Sequence, residues 1–241
     1  MIQPHIRCRE EDVAEIVLLP GDPERVTRAA QYLDEYREVA FNREFKTVTG
    51  KYKGVPVSIT STGIGGASAA IALEELIACG AKKFIRIGSA GAVQKGIEIG
   101  DLIIVDAAVR EDGASRMYVD SAYPAAADHE LLESIRMNAQ NMGIPFHVGV
   151  VRSHDSFYID EEEQIMQMWS KKGVLASDME TAALFVVGRL RGVKVASILN
   201  NVVKYGEDVK EGIDLYVDSE KLASIGEENE IRLALEAAIT I

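Results

Sequence analysis

A chain of 241 residues is long enough to bury a large core, and its length fits a single domain over residues 1–241. Its 26 basic and 38 acidic residues give a net charge of −12, which argues against nucleic-acid partners and membrane surfaces because both require a basic face. Two cysteines are too few for a disulfide framework or a structural zinc site, and no apolar stretch could span a bilayer, so we expect a cytoplasmic protein.

Strand-like and helix-like segments alternate along the chain. Apolar, β-branched runs bounded by glycine or polar residues predict six strands, at 15–20, 55–62, 82–88, 101–109, 146–153 and 193–203. Helical spacing between and after them predicts helices at 66–80, 128–143 with Asp128 as N-cap, 160–173 with Asp160 as N-cap, and 219–241, where Gly226 is a candidate break. This alternation predicts an α/β layer architecture.

The first glycine turn, in "LLPGDPERV", ends a strand at Gly21 and opens a helix. Asp22 suits the N-cap, Pro23 suits the first helical position, and Arg25 falls in the first turn. Free N–H groups, the positive end of the helix dipole and an arginine together can bind an anion. The alternative is a plain helix cap, with Arg25 paired to a nearby glutamate.

A second glycine turn, "STGIGGASAA" at 61–70, lacks the G-x-G-x-x-G spacing of a dinucleotide site, so we discount NAD. Arg86 raises a different question, because it lies inside the apolar run "KFIRIGSAGAV" ahead of Gly88 and Gly91, where a tight turn is expected. A buried guanidinium needs either a fixed carboxylate partner or an anion that arrives from outside.

Two further patterns have plain structural explanations. In "SDMETAALFVVGRLRG" (177–192), Ser177 and Glu180 form the S-x-x-E of a capping box ahead of an apolar helical stripe. The four histidines show no metal-ligand spacing, so we expect no metal site, and neither a G-x-S-x-G elbow nor a Walker loop occurs.

Four motifs in order, "PGDPERV", "NREFKTVTGKYKG", "STGIGGASAAIALEEL" with "IRIGSAGA", and "SDMETAALF", resemble the hexameric nucleoside phosphorylases. The likeness runs from about Pro4 to Val203. It implies a three-layer αβα sandwich around a central mixed sheet. It also implies phosphorolysis of a nucleoside to free base and ribose 1-phosphate, with inorganic phosphate as co-substrate and no required cofactor.

The resemblance also assigns site residues. Arg86 and Glu180 are the expected catalytic pair. Phosphate is expected to contact Gly21, Arg25, Arg86, Ser89 and, from a neighbouring subunit, Arg43. The nucleoside is expected to contact His5, Phe157, Tyr158, Asp178, Met179 and Glu180, with His5 acting across the subunit interface. A homohexamer built as a trimer of dimers follows, and a monovalent cation at the dimer interface would use Glu44, Ile64 and Ser68.

The part of the site that binds the base departs from the family pattern. Val202 and Val203 stand where purine enzymes carry a Ser-Asp pair, although a shifted register would bring in Lys204, Glu207 or Asp208 instead. Glu161 and Glu163 occupy the place of the uracil-binding Gln-x-Arg. We therefore expect a uridine phosphorylase, with a purine nucleoside or methylthioadenosine phosphorylase as the alternative and a catalytically weak nucleoside- or phosphate-binding protein as a third possibility. Three retained arginines argue against a hydrolase of the same fold.

Overall fold

A computed structural model describes residues 1–206 and 221–240. In those ranges one mixed sheet contains β1 (Ile16–Pro20), β2 (Glu35–Asn42), β3 (Phe45–Tyr52), β4 (Val55–Thr60), β5 (Lys83–Ala92), β6 (Leu102–Glu111), β7 (Ala125–Ala126), β8 (Phe146–His154), β9 (Ala176–Asp178) and β10 (Lys194–Val203). The helices are α1 (Pro23–Ala30), α2 (Gly66–Ala78), α3 (Gly113–Tyr118), α4 (His129–Met142), α5 (Glu162–Ser170), α6 (Thr181–Leu190) and α7 (Lys221–Ile239). No described helix is long and apolar enough to cross a membrane.

The sheet is partly closed on itself. Strands β2, β3, β4, β1 and β5 lie side by side, and β5 then pairs with both β9 and β10. Because β9 continues through β8 and β6 back to β10, those four strands and β5 form a ring. This closure, which the sequence patterns did not predict, places the carboxyl end of β5 between β9 and the end of β10.

Helices cover both faces of the sheet, as the predicted αβα sandwich requires. Alternate strand residues point to opposite faces. Leu18 and Ile85 belong to a core with α1, α4 and α7, whereas Val17, Leu19 and Phe84 belong to a second core with α2 and α6. The predicted α/β class and central mixed sheet are therefore confirmed.

The six predicted strands are present with small differences at their ends. The main correction is in β5, which continues through Gly88 and Gly91 to Ala92, so no tight turn follows Gly88. Strands β2 and β3 were not predicted. Their half-exposed residues alternate too weakly to give a strand pattern, and the β-hairpin is held by pairing with β4.

The helix ends are predicted well where a side chain or a glycine fixes them. Asp128 caps α4 by accepting from the Glu130 and Leu131 N–H groups, and Gly143 ends it in the left-handed conformation. For α5 the prediction of Asp160 as N-cap is wrong, because Glu161 holds that position and makes no side-chain cap. The short helix α3 was not predicted.

Gly226 does not break the last helix, since α7 runs through it from Lys221 to Ile239. Positions 219, 220 and 241 of the predicted helix lie outside the described ranges. A Cβ at Gly226 would lie 2.2 Å from Asn200 Oδ1 and 2.7 Å from the Gly100 Cα. Gly226 is therefore the point at which α7 packs closely against β10.

This close packing predicts that Gly226→Ala destabilises the protein. Helix propensity alone would raise the free energy of unfolding by about 1 kcal/mol. The steric conflict with Asn200 should instead lower it by about 1–3 kcal/mol. Chemical denaturation measures the sign, with Ser224→Ala, at an exposed position of the same helix, as the control that should not destabilise. A stabilised Gly226→Ala variant would show that α7 does not pack here.

Candidate functional site

The first glycine turn forms as the sequence predicts. Asp22 caps α1 by accepting from the Glu24 N–H at 2.9 Å and the Arg25 N–H at 3.1 Å, and Pro23 occupies the first helical position. This cap places Arg25 on the buried side of the first turn, against the carboxyl end of β5.

The guanidinium of Arg25 connects three elements. Its Nη2 donates to Ser89 Oγ at 2.9 Å, its Nη1 donates to the Ile87 carbonyl at 3.2 Å, and its Nε donates to Glu227 Oε2 at 2.9 Å. The structure thus brings together two of the residues assigned to phosphate. It also gives Arg25 the glutamate partner that the alternative interpretation, a plain helix cap, expects. That partner is Glu227, which lies on α7 at the far end of the sequence.

Arg86 has fixed carboxylate partners. Its Nε donates to Asp178 Oδ2 at 3.0 Å, and its Nη2 donates to Glu180 Oε2 at 2.5 Å. Of the two alternatives for Arg86, the fixed carboxylate partner is present, because β9 and the residues before α6 provide two carboxylates. The third nitrogen, Nη1, is buried and has no hydrogen-bond partner among the described residues.

The charge of Arg86 is secure in this environment. Burial opposes the charged form, but the Glu180 and Asp178 carboxylates outweigh that effect, so the pKa of Arg86 is raised. The pKa of Glu180 is also raised, mainly by burial, although Arg86 and the N–H groups of Gly65 and Met179 oppose the shift. Arg86 therefore stays charged, whereas burial of Glu180 opposes the ionised form that Arg86 and the two N–H groups favour.

Gly88 provides the space for this guanidinium. A Cβ at Gly88 would lie 2.5 Å from Arg86 Nη2 and 2.7 Å from Arg86 Cζ, because the side chain folds back over the strand two residues further along. The Gly88 N–H donates to Glu230 Oε1 at 2.6 Å on the α7 side. A side chain at this position would displace the arginine.

The capping-box interpretation of Ser177 and Glu180 is wrong. Ser177 lies in β9, and α6 begins at Thr181, whose N–H and Oγ1 donate to Asp178 Oδ2 at 3.0 and 2.6 Å. Asp178 therefore caps the helix, and Glu180 accepts instead from the Gly65 N–H at 2.5 Å and from Arg86. Gly65 adopts φ +94°, a conformation that favours glycine, so the loop before α2 is built to present this N–H.

Two predicted contact residues lie apart from this cluster within the chain. His5 Nδ1 lies 2.6 Å from Glu75 Oε1, and the ring packs edge-on against Phe45. Arg43 is exposed in the turn between β2 and β3, at φ +55°. Neither side chain makes a hydrogen bond or ion pair with Arg25, Arg86 or Glu180.

On the side expected to hold the base, Phe157 and Tyr158 contact each other edge to face, with ring centroids 4.9 Å apart, and Tyr158 is 75% exposed. Val202 and Val203 are buried with Ala223 in a small apolar cluster. Lys204 pairs with Glu98 at 2.6 Å. The other two alternatives, Glu207 and Asp208, lie outside the described residues.

Sequence reasoning missed a further buried arginine, Arg152, on this side. Arg152 donates to Glu111 Oε2 at 2.5 Å and to Glu162 Oε1 at 2.7 Å, whereas Glu161 and Glu163 are exposed. The signal was an arginine inside the apolar run "HVGVVRS", the same kind of signal that identified Arg86. A cavity of about 410 Å³ opens here, and its lining includes Glu111, Arg116, Arg152, His154, Ile159 and Ile165.

Of the predicted cation residues, Glu44 and Ser68 lie together: Ser68 Oγ donates to Glu44 Oε1 at 2.8 Å. Ile64 is 79% exposed. Cation binding there stays a prediction. Elsewhere in the described ranges no cluster of three or more His, Cys, Asp or Glu side chains is suited to a metal ion.

The position of Gly88 predicts a contrast between two glycines of one strand. Gly88→Ala should lower the free energy of unfolding by about 1–3 kcal/mol, because the new methyl group collides with the Arg86 guanidinium. Gly91→Ala should stay within about 1 kcal/mol of wild type, since its nearest neighbour would be Val203 Cβ at an ordinary 3.8 Å. Equal stabilities of the two variants, measured by denaturant titration, would contradict this account of Gly88.

Comparisons with known proteins identify the family of this chain. Residues 15–221 match the model of the phosphorylase superfamily. The chain is 47% identical over 209 residues to a uridine phosphorylase of Thermococcus kodakarensis, covering 82% of this chain and 76% of the relative. It is 36% identical over 239 residues to a guanosine phosphorylase of Halorubrum lacusprofundi, covering 99% of both chains. A crystal structure of uridine phosphorylase from Vibrio fischeri ES114 superposes with a TM-score of 0.93 at 48% identity, covering 99% of this chain and 98% of that one. The chain belongs to the phosphorylase superfamily.

Proposed function

We propose that this protein is a nucleoside phosphorylase, a pentosyltransferase that uses inorganic phosphate to split uridine into uracil and ribose 1-phosphate. The observation that carries the proposal is Arg86, a buried guanidinium that is fixed on two sides and has one nitrogen, Nη1, without a partner among the described residues. Two of the relatives that match most of the chain carry the name uridine phosphorylase.

The phosphate would lie at the carboxyl end of β5. Arg25 and Ser89 are already hydrogen-bonded there, Arg86 lies on the same strand as Ser89, and Gly21 directly follows the neighbouring strand β1. Guanidiniums suit a phosphate dianion because charge-assisted, bidentate hydrogen bonds are strong. A local cluster of this kind explains how a protein with a net charge of −12 would bind an anion.

Glu180 would hold the ribose. Its Oε1 accepts from the Gly65 N–H, and its Oε2 accepts from Arg86 and from the Met179 N–H, which leaves lone pairs, chiefly on Oε1, that could accept from ribose hydroxyls. Met179 and Asp178 precede it on the same segment. A phosphate oxygen would then attack C1′ while the bond from C1′ to the base nitrogen breaks, and the base leaves with the electron pair and takes up a proton. The phosphate dianion stabilises the positive charge that develops on the sugar.

Uridine is the proposed substrate because the two positions that match the Ser-Asp pair of the purine enzymes hold no acid. Val202 and Val203 are buried in an apolar cluster and can neither donate nor accept a hydrogen bond. Uracil needs less help, because its anion spreads charge over two carbonyl oxygens. The full-length likeness to a guanosine phosphorylase makes a purine nucleoside the second candidate, and methylthioadenosine is a third.

A panel of nucleosides tests this function. Uridine, inosine, guanosine and adenosine are compared by kcat/KM at saturating phosphate and again without phosphate. We expect cleavage only with phosphate. We also expect uridine to be cleaved fastest, because a purine leaving group would lack the general acid that is worth roughly 100-fold or more in a purine enzyme. A tenfold purine preference would overturn the uridine assignment. Cleavage without phosphate would indicate a hydrolase, and no cleavage would indicate a binding protein.

We also propose that the active form is an oligomer, a homohexamer assembled from dimers with shared sites. Arg43 and His5 make no hydrogen bond or ion pair with the remaining predicted site residues of their own chain. Glu44, the residue after Arg43, contacts Ser68 of α2, and the Ile64 side chain in the loop before α2 is 79% exposed. A second copy that covers this face would supply both missing residues. The cytoplasmic location stays a proposal, as does the absence of a required cofactor.

Subunit complementation tests the shared site. Arg43→Ala and Arg86→Lys should each be nearly inactive alone, because each removes one phosphate contact from every site. Coexpressed, they should regain about a quarter of wild-type activity, since half of randomly formed dimers are mixed and each mixed dimer has one intact site. Coexpression of two different Arg86 variants is the matched control and should show no recovery. Failure to complement, or an active monomer in sedimentation, would rule out sharing.

A further inference from the structure

Glu230 is a completely buried carboxyl group behind the predicted phosphate residues. Its Oε1 accepts from the Gly88 N–H at 2.6 Å. Its Oε2 lies 3.7 Å from Arg25 Nη1 and has no hydrogen-bond partner among the described residues. No sequence motif marks this residue, and nothing in the proposed reaction uses it.

The charged groups around Glu230 come from three elements. Arg25 lies on α1, Arg86 acts on it from β5, and Glu227 lies one helical turn earlier on α7. Glu227 makes the closer contact with Arg25, because its Oε2 accepts from Arg25 Nε at 2.9 Å. It also pairs with Arg28. Two carboxyl groups therefore share one buried guanidinium, and Glu230 holds the weaker position.

The charges of the described residues around the predicted phosphate site also favour one neutral carboxyl group. Among the described residues, five carboxyl groups contact the three guanidiniums of Arg25, Arg28 and Arg86: those of Asp22, Asp178, Glu180, Glu227 and Glu230. If all were ionised, a phosphate dianion would enter a region that is already negative. Protonating one carboxyl group would reduce that conflict.

We propose that Glu230 is a positioning residue of the phosphate site that is neutral when phosphate is bound and that, when ionised, competes with phosphate for Arg25. The proposal rests on the proposed function. Binding of the dianion would draw one proton from solvent onto Glu230 Oε2, and its release would return the proton. No covalent bond to Glu230 forms at any step.

The pKa of Glu230 lies within the pH range in which phosphate binding can be measured. Burial raises its pKa to about 8; Arg25 opposes this, Glu227 adds to it, and Gly88 and Arg86 oppose it. Phosphate should therefore bind well to the neutral form below pH 8 and less well above it. Glutamine at this position would keep the hydrogen bond from Gly88 and remain neutral at every pH.

The test compares Glu230→Gln with wild type from pH 6.5 to 9.5 by the KM for phosphate at saturating uridine. Above pH 8 the wild-type KM should rise, by roughly tenfold at pH 9.5, and the Glu230→Gln KM should stay flat. The kcat at saturating phosphate should change little in either protein. Glu228→Gln, at an exposed position of the same helix, is the matched control and should follow wild type. Coincident profiles of wild type and Glu230→Gln would overturn the proposal.

A second measurement does not depend on the variant or on catalysis. Sulfate carries no titratable proton in this pH range, so calorimetry of sulfate binding to wild type in two buffers of different ionisation heat counts protons taken up by the protein. At pH 8 we expect uptake of up to about half a proton per site. If sulfate bound without proton uptake, the proposed role of Glu230 would be overturned and the proposed function would not be affected. If sulfate did not bind, this proposal would also be overturned. Phosphate-dependent cleavage of the nucleosides in the panel would then still support the proposed function.

Discussion

The Arg86 guanidinium is the interaction on which the rest of the site depends. It is 3% exposed, so its charge must be balanced, and Asp178 and Glu180 balance it. Each consequence is visible in the local structure: Gly88 leaves space for the side chain, Asp178 caps α6 as well as binding Arg86, and Gly65 holds the second oxygen of Glu180.

The closed sheet and the last helix complete the arrangement. Because β5 pairs with both β9 and β10, the segment that carries Asp178 and Glu180 lies directly beside the strand that carries Arg86. On the opposite face, α7 supplies Glu227 to hold Arg25 beside Ser89. The two arginines are thus fixed by carboxylates from distant parts of the sequence. Such preorganisation lowers the cost of ordering the site when an anion binds.

The sequence revealed those features whose causes are local. Asp22 and Asp128 cap helices because their side chains reach N–H groups two or three residues away, and Arg86 was conspicuous because a charge interrupts an apolar run. The capping box of Ser177 and Glu180 failed because a distant arginine and a glycine loop compete for the same carboxylate. That residues 1–241 form one domain stays a prediction.

Other features could not be predicted because they depend on packing between remote segments. Gly226 looked like a helix break, yet it is required where α7 approaches Asn200. Nothing near Arg25 in the sequence indicates Glu227 or Glu230 as its partners. The base side was uncertain in the sequence for a similar reason: Val202 and Val203 could be placed only after their packing against Ala223 was known.

The most direct test of the central claim is a crystal structure with inorganic phosphate and uracil bound. We predict a phosphate oxygen within about 3 Å of Arg86 Nη1 and another near Arg25, with Asp178 and Glu180 still on the far sides of the Arg86 guanidinium. Phosphate bound away from Arg86, or Arg86 Nη1 satisfied by a protein group while phosphate is bound, would contradict the claim that this buried charge is kept for the anion.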